Sequence, residues 1–214
     1  NITHQFRQPL NNISYILMNL KKRFENKSLD ESYFDKKVNQ ANEQLNFLSK
    51  TIDDFKEFYT ISKEKEIFSV KDAILNATTI LSTDLKSHNI DLETSFETFD
   101  EVKIFGVKSE LSQVLIAIIS NSIDVLKNIK NPEIQINIFS SSAEVIIKLA
   151  DNGGGIKAKN LKKIFEPYFS TKEEGTGIGL YLAKMIIEES FGGKILVENK
   201  KEGVLFSLFI EKAL

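Results

Sequence analysis

The chain has 214 residues, 42% hydrophobic and 27% charged, with a net charge of −2. That is enough chain for a buried core, and the balance is ordinary for a globular protein. The absence of a basic excess argues against nucleic acid as a partner. With no cysteine, disulfides and thiolate metal ligands are excluded, and a reducing, cytoplasmic setting fits. The longest unbroken apolar run, Val114 to Ile119, is too short to span a bilayer. The chain opens on Asn1, directly before its first motif, and reads as a fragment.

In chain order, the first third is helical. Ile2, Phe6, Pro9, Ile13, Ile16 and Leu20 form one stripe. Phe34, Val38, Ala41, Leu45, Leu48, Ile52, Phe55 and Tyr59 form a second, its spacing alternating four and three. A seam of that length is a coiled-coil or bundle seam. The polar stretch Asn26 to Glu31 reads as a helix–helix turn. Two such helices make an antiparallel hairpin with more apolar seam than it can bury alone, which predicts a four-helix bundle by homodimerisation.

From Lys65 the pattern changes. Ile67 to Val70 reads as a strand, Lys71 to Ser87 as an amphipathic helix, and Ile90 to Phe96 and Val102 to Phe105 as strands. Glu110 to Asn128 is a strongly apolar helix. Glu133 to Ser140 and Glu144 to Ala150 alternate as strands. Gly153 to Gly179 is irregular and rich in Gly and Lys, and Ile178 to Phe191 is helical. Lys194 to Asn199 and Val204 to Ile210 form a closing hairpin. Strands in pairs with helices between them predict an α+β sandwich with helices on one face of a mixed sheet.

Four patches carry chemistry: THQFRQPLNNI at the start, SNSIDVL around Asn121, DNGGGI at Asp151, and FEPYFSTK followed by GTGIGLYLAK. In this order they resemble the phosphoacceptor, N, first glycine, phenylalanine and second glycine boxes of sensor histidine kinases, and the resemblance covers essentially the whole chain. It implies a dimerisation and phosphotransfer hairpin at residues 1–62 and a Bergerat-type ATP-binding domain at 65–214. The implied cofactors are ATP and Mg2+. The implied partners are a second copy of the chain and a response-regulator receiver domain.

His4 is the expected phosphoacceptor. It lies about 200° around the helix from Ile2 and so faces solvent, where a neutral imidazole is a competent nucleophile. Pro9 removes the hydrogen bond to the Gln5 carbonyl and bends the helix there. Where many relatives carry an acid after the histidine, this chain has Gln5, whose oxygen can accept from one ring N–H and orient the other nitrogen. Gln8 lies one turn from His4 and matches the residue that aligns water for dephosphorylation of the partner. His88 reads as a helix C-terminal cap.

Asn121 interrupts an apolar helix, where a buried amide needs a partner; by resemblance it ligates Mg2+, for which its oxygen is a suitable donor. Asp124 stands one turn on, where many histidine kinases have a phosphate-reaching lysine, and that task passes to Lys127 or Lys172. By resemblance the Asp151 carboxylate accepts the adenine amino group, while Gly153 and Gly155 let the backbone approach the base. Gly175, Thr176, Gly177, Gly179 and Leu180 run into a helix and suit a polyphosphate; Leu180 in the third glycine slot sets the pattern apart from the dinucleotide fingerprint. The long stretch from Lys157 to Thr176 predicts a lid, pinned by Phe165 and Phe169. Two other readings stay open: an ATP hydrolase of the same superfamily, against which Ala117 stands where the gyrase type has a glutamate, and a degenerate kinase scaffold.

Overall fold

The computed structural model describes residues 2–59, 64–96, 101–172 and 175–213, with the side chains of 50–59 and of 2–8 outside the description. The chain divides into two compact units, Asn1–Tyr59 and Thr60–Leu214.

The first unit is a helical hairpin of α1 (Ile2–Glu25) and α2 (Glu31–Tyr59). The turn between them is closed locally. Lys27 takes a left-handed φ of 52°, and the Ser28 N–H returns to the Arg23 carbonyl at 2.9 Å, satisfying a carbonyl the ending helix leaves open. Asp30 Oδ1 accepts the Tyr33 N–H at 2.8 Å, an N-cap for α2. The Arg23 guanidinium lies 3.7 Å from the Tyr33 ring centroid and ties the two helix ends together. Ile16 and Leu48 are buried, whereas Leu10, Leu17, Met18, Phe34 and Leu45 are largely exposed. The seam predicted from Phe34 to Tyr59 is therefore only partly covered within one hairpin; the side chains of Ile52, Phe55 and Tyr59 lie outside the described residues.

The second unit carries two sheets. β1 (Glu66–Ser69) pairs antiparallel with β3 (Lys103–Gly106). The main sheet has five strands in the order β2 (Asp91–Phe96), β4 (Glu133–Ser140), β5 (Glu144–Asp151), β7 (Val204–Glu211), β6 (Lys194–Asn199). It is mixed: β2 runs parallel to β4, and the other pairs are antiparallel.

Alternation sorts its residues. Ile134, Ile136 and Ile138, then Val145, Ile147 and Leu149, then Val204, Phe206, Leu208 and Ile210 are all buried. Register lines them up across the sheet, Ile138 beside Ile147, Ile147 beside Leu208, and Leu208 beside Ile195. Against that face lies α5 (Lys108–Leu126), with Leu111, Leu115, Ile118, Ile119 and Leu126 fully buried. Burial of each such side chain contributes about 1.5–3 kcal/mol. Among the described helices α5 is long and apolar enough to cross a membrane by length and composition; here it is the core helix of the unit.

Two predicted helices come out divided. The single helix expected from Lys71 to Ser87 is α3 (Val70–Ile80) and α4 (Ser82–Ser87), broken at Leu81. Thr78 Oγ1 donates to the Ile74 carbonyl at 2.9 Å, one turn before the break, a back-bond that bends helices. His88 does cap α4, its Nδ1 standing 2.9 Å from the Asp84 carbonyl. The helix expected from Ile178 to Phe191 is α7 (Gly179–Met185) followed by a π-helical turn, Ile186–Ser190. Beyond it the Phe191 ring packs on Gly106 and edge-on against Phe68, centroids 6.5 Å apart. A short helix, α6 (Ala158–Leu161), stands inside the segment expected to be irregular.

Candidate active site

Helix α5 has two faces. One is the buried stripe against the sheet; on the other, Ala117 and Asn121 are half-buried and Asp124 and Val125 are exposed. Helical spacing puts 117, 121 and 124 in one row. Asn121 is therefore not sunk in the apolar run, as its neighbours in sequence suggested: those neighbours point to the core, and Asn121 stands at the rim. Its Nδ2 donates to the Ala117 carbonyl at 2.8 Å, and its Oδ1 accepts from Lys172 Nζ at 2.8 Å.

Asp124 gathers both candidate lysines. Lys172 Nζ is 2.6 Å from Asp124 Oδ2, and Lys127 Nζ is 2.7 Å from Asp124 Oδ1. Partial burial opposes the charged form of Asp124, but the hydrogen bonds and charges of the two lysines outweigh it and hold the carboxyl below its ordinary range. Lys172 is itself placed by Ser170, whose Oγ accepts the Lys172 N–H at 3.0 Å.

Asp151 is the last residue of β5. Its Oδ2 accepts from Ser122 Oγ and its Oδ1 from the Gly153 N–H, both at 2.9 Å. Two donors thus fix the carboxylate while each oxygen keeps a lone pair for a ligand donor. Ser122, buried on α5 next to Asn121, was not singled out in the sequence; its position inside SNSIDVL was the available signal. Gly153 is dictated by packing, since a Cβ there would stand 2.5 Å from Val125 Cγ2.

The loop beyond is clamped by a second residue the sequence did not mark. Asn199, at the end of β6, accepts the Ile156 N–H at 2.8 Å and donates to the Ile156 carbonyl at 2.7 Å. Gly155 lies against that side chain, with Asn199 Oδ1 3.2 Å from where its Cβ would be.

The second glycine stretch is docked onto the phenylalanine segment. Gly177 has a φ of +67°, and a Cβ there would lie 2.5 Å from the Tyr168 carbonyl carbon and 2.7 Å from Phe169 backbone atoms. The Gly177 carbonyl accepts the Tyr168 N–H at 2.9 Å. A Cβ at Gly175 would meet Ser170 Oγ, Thr176 and Ile178 are buried, and Gly179 opens α7, where a Cβ would come within van der Waals reach of Ala117, with Leu180 half-buried after it. Ile164 is buried and Phe165 sits edge-on against Phe206, centroids 6.4 Å apart. Phe165 does pin this segment to the sheet.

The structure thus brings Asn121, Asp124, Lys127 and Lys172 together, and ties Asp151 to the same helix through Ser122. The side chains of His4, Gln5 and Gln8 lie outside the described residues. The amide oxygen of Asn121 accepts an ammonium ion, and the Asp124 carboxylate lies beside it, so the oxygen donors here suit a hard cation. Among the described residues no three His, Cys, Asp or Glu side chains converge.

Comparison with known proteins assigns the class. Residues 106–214 match the histidine kinase-, DNA gyrase B- and HSP90-like ATPase family, and the chain belongs to it. Sporulation kinase C of Bacillus subtilis is 27% identical over 215 residues, covering 98% of this chain and 47% of that protein. Sporulation kinase A of the same organism is 30% identical over 216 residues, covering 99% and 34%. The chain spans less than half the length of these relatives. Among solved structures, the catalytic domain of histidine kinase ThkA superposes with a TM-score of 0.64 at 30% identity, covering 70% of this chain and 96% of that one. ThkA in complex with the response regulator TrrA gives 0.64 at 28% identity, covering 99% and 60%.

Proposed function

We propose that this chain is the catalytic core of a sensor histidine kinase of a two-component system. In this reading the second unit binds Mg–ATP, the γ-phosphoryl group passes to His4, and a response-regulator aspartate then receives it. The observation that carries the reading is the Asp151 carboxylate, held by Ser122 and Gly153 on the helix-and-strand frame that also presents Asn121. Asp151 accepts the adenine amino group, and the base lies beside the backbone of the turn from Gly153 to Gly155. Asn121 holds the Mg2+, which neutralises phosphate charge when bound. In this reading Lys127 and Lys172 meet the phosphates, and Gly175, Thr176, Gly177, Gly179 and Leu180 border them at the start of α7.

The catalytic unit mainly positions the nucleotide and offsets its charge. The His4 imidazole attacks the γ-phosphorus, the bond to the bridging oxygen breaks, and ADP leaves with the electron pair. Gln5 orients the ring, and Gln8 holds water for dephosphorylation of the regulator. The first unit acts as a homodimer in the cytoplasm; its exposed Leu17, Met18 and Leu45 support a second hairpin packed on the first. ThkA, similar over nearly the whole chain, is known in complex with a response regulator, which supports a receiver domain as partner.

The test is incubation with γ-labelled ATP and mapping of the label. The expected product is an acid-labile, base-stable phosphoryl group on His4, absent in His4→Ala. Label retained by His4→Ala refutes the assignment. Release of free phosphate with no labelled protein would favour a hydrolase.

A further inference from the structure

Lys172 makes a contact that the kinase reading does not use. Its ammonium lies 2.8 Å from Asn121 Oδ1 and 2.6 Å from Asp124 Oδ2, so a cation already sits on the amide oxygen assigned above to the metal. Lys172 comes from the segment that precedes the second glycine stretch, 51 residues from Asn121. That segment is braced at Ser170, which accepts the Lys172 N–H at 3.0 Å and donates to the Lys172 carbonyl at 3.2 Å. Lys127 differs, since its ammonium reaches Asp124 Oδ1 and no hydrogen bond from it to Asn121 is present.

Two cations on one oxygen would stand within about 4 Å of each other and repel. A small divalent ion also needs octahedral space for its own waters and for phosphate oxygens. An ammonium at the observed place and a divalent ion on Asn121 Oδ1 therefore exclude one another.

We propose that Lys172 is a tethered competitor for the divalent cation: in the nucleotide-free chain its ammonium occupies Asn121 Oδ1 with Asp124 as its anchor, and a magnesium-bearing nucleotide loads only as Lys172 leaves Asn121. Metal loading and displacement of Lys172 then become one event. Asp124 is a positioning residue in this scheme, acting through Lys172. The proposal rests on the nucleotide reading above.

The experiment is calorimetric titration of the full chain with ADP over a series of Mg2+ concentrations. ADP has no γ-phosphoryl group, so there is no turnover. The quantity read is the Mg2+ concentration that gives half of the metal's effect on ADP affinity. Lys172→Met is expected to lower that concentration on the order of tenfold, the worth of one charge-assisted hydrogen bond. Lys172→Arg, which keeps a cation there, is expected to stay near wild type. Lys127→Met removes an equal charge from the same carboxylate without touching Asn121, and is expected to shift the requirement less. Lys172 is exposed enough, at 38% of its side chain, for these variants to fold, and melting curves check that.

An unchanged or raised Mg2+ requirement in Lys172→Met overturns the proposal, as does an equal shift in Lys127→Met, which would reduce the effect to net charge. Failure of the wild-type chain to bind ADP at any Mg2+ concentration would instead refute the nucleotide reading, and the proposal with it.

Discussion

Gly177 offers a way to separate two reasons for a glycine. Its φ of +67° lies in the left-handed region, and a Cβ would stand 2.5 Å from the Tyr168 carbonyl carbon. Gly192 has nearly the same backbone, at +61°, but nothing within 4 Å of its Cβ position. Alanine at either position costs roughly 1–2 kcal/mol for the left-handed conformation. At Gly177 it also drives a methyl into backbone that has no rotamer to move, adding about 1–3 kcal/mol if the fold is kept. For a domain of this size each kcal/mol lowers Tm by about 2–4 °C. Gly177→Ala should therefore melt roughly 2–12 °C below Gly192→Ala. The alternative to overlap is release of the segment, with loss of the bond from the Tyr168 N–H to the Gly177 carbonyl. Hydrogen exchange at the Tyr168 amide should then accelerate in Gly177→Ala and not in Gly192→Ala. If the two variants melt together and exchange alike, the docking of these segments through Gly177 is wrong.

Three further outcomes are expected. Ser122→Ala should weaken ADP binding roughly 10–100-fold, because the Asp151 carboxylate loses a charge-assisted hydrogen bond, while Asp151→Asn abolishes binding with the fold intact; calorimetry beside thermal melting checks both. Leu45→Lys combined with Ile52→Lys should give monomers in sedimentation, since a charge in a packed seam has no partner, and a wild-type chain already monomeric at micromolar concentration would contradict the bundle. Asp124 titrates below its ordinary value of 3.8 in the folded chain, so its lysine contacts stabilise the fold above that pH and are lost as pH falls through the lower folded value; the melting difference between wild type and Asp124→Asn should accordingly be present at neutral pH and vanish in strong acid.

How far the sequence could be read depended on the range of each interaction. Strands β4, β5 and β7 were visible because alternation is local, and the same is true of α5 and of the turn at Lys27. The break at Leu81 was not visible, because the spacing of Ile74, Thr78, Leu81 and Leu85 runs straight through it. Asp151 stood out beside three glycines, yet its partner Ser122 belongs to an element 29 residues away. Asn121 stands out in the sequence as a polar residue in an apolar helix, but its place at the rim is not legible there. An apolar run shows that a helix has a core face without showing which residue falls at the edge of that face. The clamp by Asn199 and the reach of Lys172 depend on contacts 43 and 51 residues apart, which no local pattern records.

Those long contacts say something about how the site is built. Gly153 is small because Val125 of α5 comes against it, and Gly177 because the Tyr168–Phe169 backbone does. Gly203, outside every motif, is small because a Cβ there would collide with the Asp151 carbonyl oxygen. These glycines bring protein surfaces together before any ligand is considered. Asp151 is accordingly crowded by its own framework on two sides, Ser122 and Gly153 at its oxygens and Gly203 at its carbonyl. Its carboxylate is set in direction, and a hydrogen-bonding ligand need not spend binding energy on orienting it. The lysines present the opposite arrangement. Lys127 and Lys172 converge on a single exposed carboxylate, and long side chains at a surface move cheaply. In the proposed reading, the end of the site at Asp151 is rigid by packing, whereas the end at Lys127 and Lys172 is adjustable by exchange of charge partners. On that same reading, the division suits a site that holds its nucleotide in place while releasing one phosphoryl group.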